Sequence, residues 1–301
     1  MTDTWRTRAT YLLFILPFTV VFLIFLGFPF LYAFYLSFHR ITNLLNILSG
    51  LKFAGLANYL YILKDPEFYW GVIASFYYGA LSIPFGMAVS LGLALLVRPR
   101  KPLLKAYRTL FFLPFVLDAF VVGIVWTFLY APRYGVFTQV LHWLHLASLD
   151  FGVLASPATA MPGVVLAMTL KNAGFGMVLF LAALDQIPRE VLEAADIDGA
   201  TGLRKLWYVT LPQLKPVMLF LVVVGIIGAL SAFAEFYAMT GGGPTMFLWG
   251  KPVGATKVAG YYLFEHFSNM RVGIAAATSF VLLLLSLGIS LLSMRLFGRR
   301  S

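Results

Sequence analysis

Residues Glu193 to Pro212 read EAADIDGATGLRKLWYVTLP, a compact charged stretch between two long apolar runs. The chain just ahead of it, IPREVLEAADIDGA, leaves Pro188 and spaces Glu190, Glu193 and Asp196 three residues apart. At that spacing they share one helical face near a helix N-terminus, where carboxylates are favoured. Gly199 can stop the helix and turn the chain. LRKLWYV, from Leu203 to Val209, resumes helical character with basic residues, and LPQLKP, from Leu211 to Pro216, ends it. The stretch therefore reads as a short helix, a turn and a second helix. Taken alone, it fits an ordinary amphipathic connector as well as a docking element.

The surroundings decide between a globular and a membrane setting. Of 301 residues, 61% are apolar and 11% charged, and the mean hydropathy is +0.89. That composition belongs to a polytopic helical membrane protein rather than a soluble domain. With no cysteine in the chain, disulfide frameworks and thiolate metal or redox sites are excluded. The net charge of +10 would suit a nucleic-acid binder, but in a membrane protein it reflects basic cytoplasmic loops.

Six apolar stretches reach the roughly 20 residues needed to span a hydrocarbon core: 11–38, 71–97, 107–130, 163–184, 216–237 and 273–297. The first exceeds a signal-peptide core and lacks a small-x-small cleavage site, so it reads as a true span with a bend at Pro29. Six spans put both termini on one side. That side collects fourteen of the 22 Lys and Arg residues, among them Arg98, Arg100, Lys101, Arg108, Arg204, Arg299 and Arg300, against seven on the other. Basic loops stay inside, so the termini and the 188–212 loop are expected to be cytoplasmic. The opposite loops are longer and mix Gly, Pro and aromatic residues, as in TGGGPTMFLWGKP from Thr240 to Pro252. No internal repeat interrupts a single transmembrane domain over residues 1–301.

The wording of the charged loop resembles the EAA signature of binding-protein-dependent ABC importer permeases. Glu193, Ala194 and Ala195, then Asp198 and Gly199, then Val209, Leu211 and Pro212 carry the likeness, with Val209 where Ile is commoner. FPFLYAFYLSF, GLANYLYILKDPEFYWGV, YRTLFFLPFVL, LKNAGFGMVLFLAAL and TGGGP resemble, in order along the chain, the carbohydrate branch of that family, which serves maltose, other oligosaccharides or glycerol 3-phosphate. The resemblance implies an all-α integral membrane protein of type I ABC importer permease fold, with six transmembrane helices and a cytoplasmic EAA coupling helix. It implies a second homologous permease subunit, two cytoplasmic ATPases that bind ATP and Mg, and an extracytoplasmic solute-binding protein. No cofactor is expected in this chain, which lacks the G-x-x-x-x-G-K-[ST] loop that cradles nucleotide phosphates. ATPase coupling is then expected of Glu190, Glu193, Ala194, Ala195, Asp196, Asp198, Gly199, Leu211 and Pro212. The family pattern points for substrate contact to Phe115, Asp118 and Ala119 in the third span, Lys171, Asn172 and Phe175 in the fourth, and Gly225 and Ala229 in the fifth. The expected cargo is a sugar or sugar-like solute, with glycerol 3-phosphate or another polyol derivative as the alternative.

Independently of any resemblance, charged residues within spans are expensive and face a cavity or a partner. Asp118, Lys171 and Glu235 qualify. Asp118 and Lys171 read either as an ion pair that fixes packing or as pathway groups, while Glu235 falls nearer the outer surface. Trp126 and Tyr130, at the outer end of the third span, read as an interfacial aromatic belt. His142 and His145 have helical spacing, but no third ligand is near in sequence and no metal site is expected. A secondary transporter would show paired broken helices in two related halves, and an intramembrane enzyme would need His-Glu-x-x-His, Gly-x-Ser-x-Gly or a cysteine. Neither set is present.

Overall fold

The computed structural model describes residues 3–41, 50–98, 102–248 and 250–298. Arg100, Lys101, Arg299 and Arg300, counted above toward the cytoplasmic side, lie outside those residues. Among the described residues four helices are long and apolar enough to cross a membrane: Thr10–Ser37, Pro66–Val97, Pro157–Asp185 and Val272–Arg295. Two bent pairs, Ala106–Val116 with Ala119–Leu129 and Gly202–Gln213 with Lys215–Ser231, raise the number to six if each pair is one span. The chain divides into two compact units, Met1–Asp65 with Leu263–Val281 and Pro66–Tyr262 with Leu282–Ser301.

In the first unit, α1 (Asp3–Phe22) passes through a π turn at Leu23–Gly27 into α2 (Phe28–Ser37). Pro29 has no N–H to return to the carbonyl one turn back, and the wider turn takes up the misfit. Beyond it, β1 (His39–Ile41) pairs antiparallel with β2 (Leu51–Phe53), and α3 (Ala57–Lys64) follows. Fully buried Asn58 ties these pieces together by donating from Nδ2 to the carbonyls of Ser37 (2.8 Å) and His39 (2.9 Å). A buried amide with both donors used in this way fixes a unique junction.

The second unit begins with α4 (Pro66–Val97), α5 (Pro102–Val116), α6 (Ala119–Leu129) and α7 (Val136–Trp143). Next come α8 (Pro157–Asp185), α9 (Arg189–Ile197), α10 (Gly202–Lys205), a π turn at Leu206–Thr210 and α11 (Leu211–Gln213). After α12 (Lys215–Ser231) and α13 (Ala234–Met239), β3 (Thr245–Leu248) and β4 (Lys251–Gly254) form an antiparallel hairpin. Two helices pass between the units, α14 (Ala259–Ser268) and α15 (Val272–Gly298).

Helix α8 is the centre of the second unit, with α4 and α5 packed against it. In a bilayer, lipid is as apolar as leucine, so helices associate by close packing and small residues line their contacts. Ala160, Gly163, Ala167, Ala173, Gly174 and Gly176 are all buried on α8. A Cβ at Gly174 would fall on the Phe111 carbonyl and within 2.6 Å of the Phe112 Cα, so α5 crosses α8 backbone to backbone there. One apolar cluster gathers Tyr78, Tyr130, Met161, Met168 and Phe236; another gathers Val97, Met177, Phe180, Leu184 and Leu214. Tyr130 corrects the belt expectation: it is 2% exposed and donates to the Gly163 carbonyl at 2.9 Å. Its ring fills the gap beside a glycine, which is a packing role. The C-terminal carbonyls of α4 and α8 meet arginines: Arg108 Nη2 donates to the Val97 carbonyl (2.8 Å) and Arg98 Nη2 to that of Leu184 (3.0 Å).

Candidate functional site

A cavity of about 400 Å³ lies within the second unit, walled by α4, α8 and α12 with single side chains from α5 and α13. Helix α4 presents Tyr78, Ser82, Gly86 and Ser90 at a strict four-residue spacing, which is one stripe of a helix face. Helix α8 contributes Met168, Thr169, Asn172, Phe175 and Gly176, and α12 contributes Leu221, Val224, Gly225, Gly228 and Ala229. Glycine does two jobs here. A Cβ at Gly225 would come 2.7 Å from Ile83 Cγ1, so this glycine lets α12 approach α4, whereas at Gly86 and Gly228 it would meet nothing within 4 Å and these glycines leave space open.

The wall is mostly apolar with a few placed polar groups, the usual make-up of a small-molecule site. Phe115 and Phe175 stack at 4.8 Å and 14° and offer a flat apolar face. Tyr78 donates its hydroxyl to Glu235 Oε1 at 3.4 Å, and its ring is pinned edge-on to Phe236 at 5.0 Å. Thr169 is 4% exposed and its Oγ1 has no hydrogen-bond partner among the described residues. Glu235 is the one formally charged residue among the described lining.

Of the substrate-contact residues expected from sequence, Phe115, Asn172, Phe175, Gly225 and Ala229 line this cavity, while Asp118, Ala119 and Lys171 do not. Asp118 stands where α5 and α6 meet at a 100° bend, and it caps α6 by accepting from the Phe120 N–H at 2.8 Å. Lys171 donates to the Phe115 carbonyl at 3.4 Å and stands 5.4 Å from the centre of that ring. No ion pair within 4.0 Å joins it to Asp118 among the described residues. Tyr78, Ser82, Gly86, Ser90, Thr169 and Gly228 were not singled out from the sequence, and Glu235, expected nearer the outer surface, also lines the cavity. The four-residue stripe on α4 was the available signal, hidden by its mixture of one aromatic, two hydroxyls and a glycine. Among the described residues no group of three or more His, Cys, Asp or Glu is placed to hold a metal.

The charged loop forms a second surface. Helix α9 exposes Glu190, Glu193, Ala194 and Asp196 and buries Ala195 beneath them. It ends in a Schellman turn: the Ala200 N–H reaches the Ala195 carbonyl at 2.9 Å and the Gly199 N–H that of Asp196 at 3.1 Å, with Gly199 at φ +74°. Asp198 is the exposed C-cap, Leu211 is half-buried and Pro212 is exposed at the start of α11. Lys205 folds back to Asp196 at 2.7 Å. Around these charges Ile197 is 87% exposed and Tyr208 78% exposed, beside exposed Leu203 and Trp207. Apolar side chains are thus exposed among carboxylates on one loop.

Helices long and apolar enough to cross a membrane, packed around a cavity, are the architecture expected of a transport permease. The chain belongs to the family of binding-protein-dependent transport system inner membrane components, which matches residues 82–300. It is 32% identical over 291 residues to the probable ABC transporter permease protein YurN of Bacillus subtilis (strain 168), covering 95% of this chain and 94% of that one. Over 255 residues it is 34% identical to the sn-glycerol-3-phosphate transport system permease protein UgpA of Yersinia enterocolitica, covering 83% and 81% of the two chains. To the trehalose/maltose transport system permease protein MalF of Thermococcus litoralis it is 29% identical over 283 residues, covering 94% and 92%. The fold matches that of a bacterial ABC transporter involved in the import of the acidic polysaccharide alginate, with a TM-score of 0.78 at 22% identity over 99% of both chains. The chain is thus an ABC importer permease of type I fold.

Proposed function

We propose that this permease forms half of the pathway by which a sugar or sugar-like solute, delivered by an extracytoplasmic binding protein, crosses the membrane. A second homologous permease supplies the other half, and two cytoplasmic ATPases, which hold ATP and Mg, power the cycle. The observation that carries the reading is the cavity between α4, α8 and α12, with its stacked Phe115 and Phe175 for the apolar face of a sugar ring and its Glu235 and Asn172 for hydroxyls. Coupling is assigned to α9, with Glu193 meeting a basic residue of the ATPase. The exposed carboxylates flanked by Ile197, Leu203 and Tyr208 support that role, and both termini then share the cytoplasmic side with this loop. A glycerol 3-phosphate or other polyol cargo is the second reading, favoured by the 34% identity to UgpA. Reconstitution of the chain with its partner subunits in liposomes tests the assignment: sugar uptake should require ATP inside and the binding protein outside. Uptake that proceeds without ATP, driven by an ion gradient, would overturn it in favour of a secondary transporter.

A further inference from the structure

We propose that Glu235, oriented by Tyr78, makes the cavity a charge filter that accepts uncharged polyhydroxylated solutes and rejects anionic ones such as sugar acids and sugar phosphates. The inference rests on the cavity being the solute path. Glu235 is the one formal charge in the described wall, and Tyr78, buried and held edge-on by Phe236, donates to it from a fixed direction. A carboxylate only accepts hydrogen bonds, so it pairs with hydroxyl donors and has nothing to offer a phosphate or a second carboxylate.

The wall is mostly apolar, and like charges repel beside such a surface more strongly than in bulk solvent. Lys171, held by the Phe115 carbonyl and ring, stays outside the lining, so its charge reaches a solute in the cavity less directly than that of Glu235. The stacked Phe115 and Phe175 complete a wall suited to the apolar face of an uncharged ring. UgpA is named for sn-glycerol 3-phosphate and the alginate importer carries an acidic polysaccharide; the filter separates the cargo of this chain from theirs.

The chain has no cysteine, so Ser82→Cys places a single thiol on the cavity wall one helical turn from Tyr78. In the purified complex with its partner subunits, a cationic methanethiosulfonate should label this chain faster than an anionic one, by about tenfold more than for free cysteine. Adding Glu235→Gln should collapse that excess, and Glu235→Asp should keep it. Free sn-glycerol 3-phosphate should slow labelling only in the Glu235→Gln form. The filter is overturned if the chain with Glu235 intact shows the charge preference of free cysteine, a reading that needs no substitution at Glu235 to fold. It is also overturned if sn-glycerol 3-phosphate slows labelling of the Glu235 form. Uptake by the reconstituted complex is measured in parallel: strong charge preference with no sugar uptake contradicts the proposed function and leaves the filter standing.

Discussion

The cavity wall and the α9 loop belong to the same unit, yet they use small residues and charge in opposite ways. Around the cavity, glycine brings backbones together or leaves room, and the charge on Glu235 stands within an apolar wall. On the loop, Gly199 serves a left-handed turn with nothing within 4 Å of its missing side chain, and the carboxylates of α9 face outward. In the first region substitution at Gly225 is resisted by a neighbour already in contact, while Gly86 and Gly228 have room. In the second it is resisted by backbone conformation and by partners that are other chains.

The largest effect is therefore expected where backbones touch. Gly174→Val should cost on the order of 3 kcal/mol or more, because its Cβ would fall on the Phe111 carbonyl and neither helix can shift cheaply. The purified complex should lose thermal stability or fail to assemble. A variant as stable as the wild type would show that α5 and α8 are not packed this closely.

Next comes Glu193→Lys, a charge reversal on an exposed docking face. Binding-protein-stimulated ATP hydrolysis should fall by about tenfold or more, the scale for an interfacial pair turned repulsive, while the isolated chain keeps its stability. Normal subunit stoichiometry together with normal stimulated hydrolysis would remove α9 from coupling.

A smaller effect is expected at the turn. With φ at +74°, Gly199→Ala should cost about 1 kcal/mol and Gly199→Val more, since β-branched residues are outliers in that region. Uptake should follow the same order, and equal uptake by the two variants would mean the left-handed turn is dispensable.

The smallest effect concerns Asp118. Asp118→Ala should cost about 1 kcal/mol through loss of the α6 cap, and Asp118→Asn should restore it because the amide oxygen still accepts from the Phe120 N–H. Transport abolished in Asp118→Asn, with stability intact, would return this side chain to the solute path.

The difference between the regions also explains how much could be read in advance. The apolar runs announce a membrane helical bundle, and the EAADIDGA wording with its glycine announces the loop, because both are local: hydropathy and a turn requirement are written in consecutive residues. The cavity is not local. Its wall takes every fourth residue of α4 and the i, i+3, i+4 face of α12, joined by Glu235 from a helix of six residues. Asp118 and Lys171 drew attention as charges in apolar sequence, but a sharp helix break that needs a cap uses one, and the backbone carbonyl and ring of Phe115 hold the other. Tyr130 drew the opposite error, since an aromatic near a span end looks like a belt residue until the glycine it covers is known.

Filling the cavity tests most directly whether it is the path. Gly228 lines it, and a Cβ there would meet nothing within 4 Å, so Gly228→Leu adds bulk to the lumen with little strain on the packing. Uptake and binding-protein-stimulated ATP hydrolysis should be measured on the same reconstituted complex. The expected result is uptake reduced by about tenfold or more with assembly and stimulated hydrolysis retained; unchanged uptake with the leucine in place would contradict the cavity as the route of the solute.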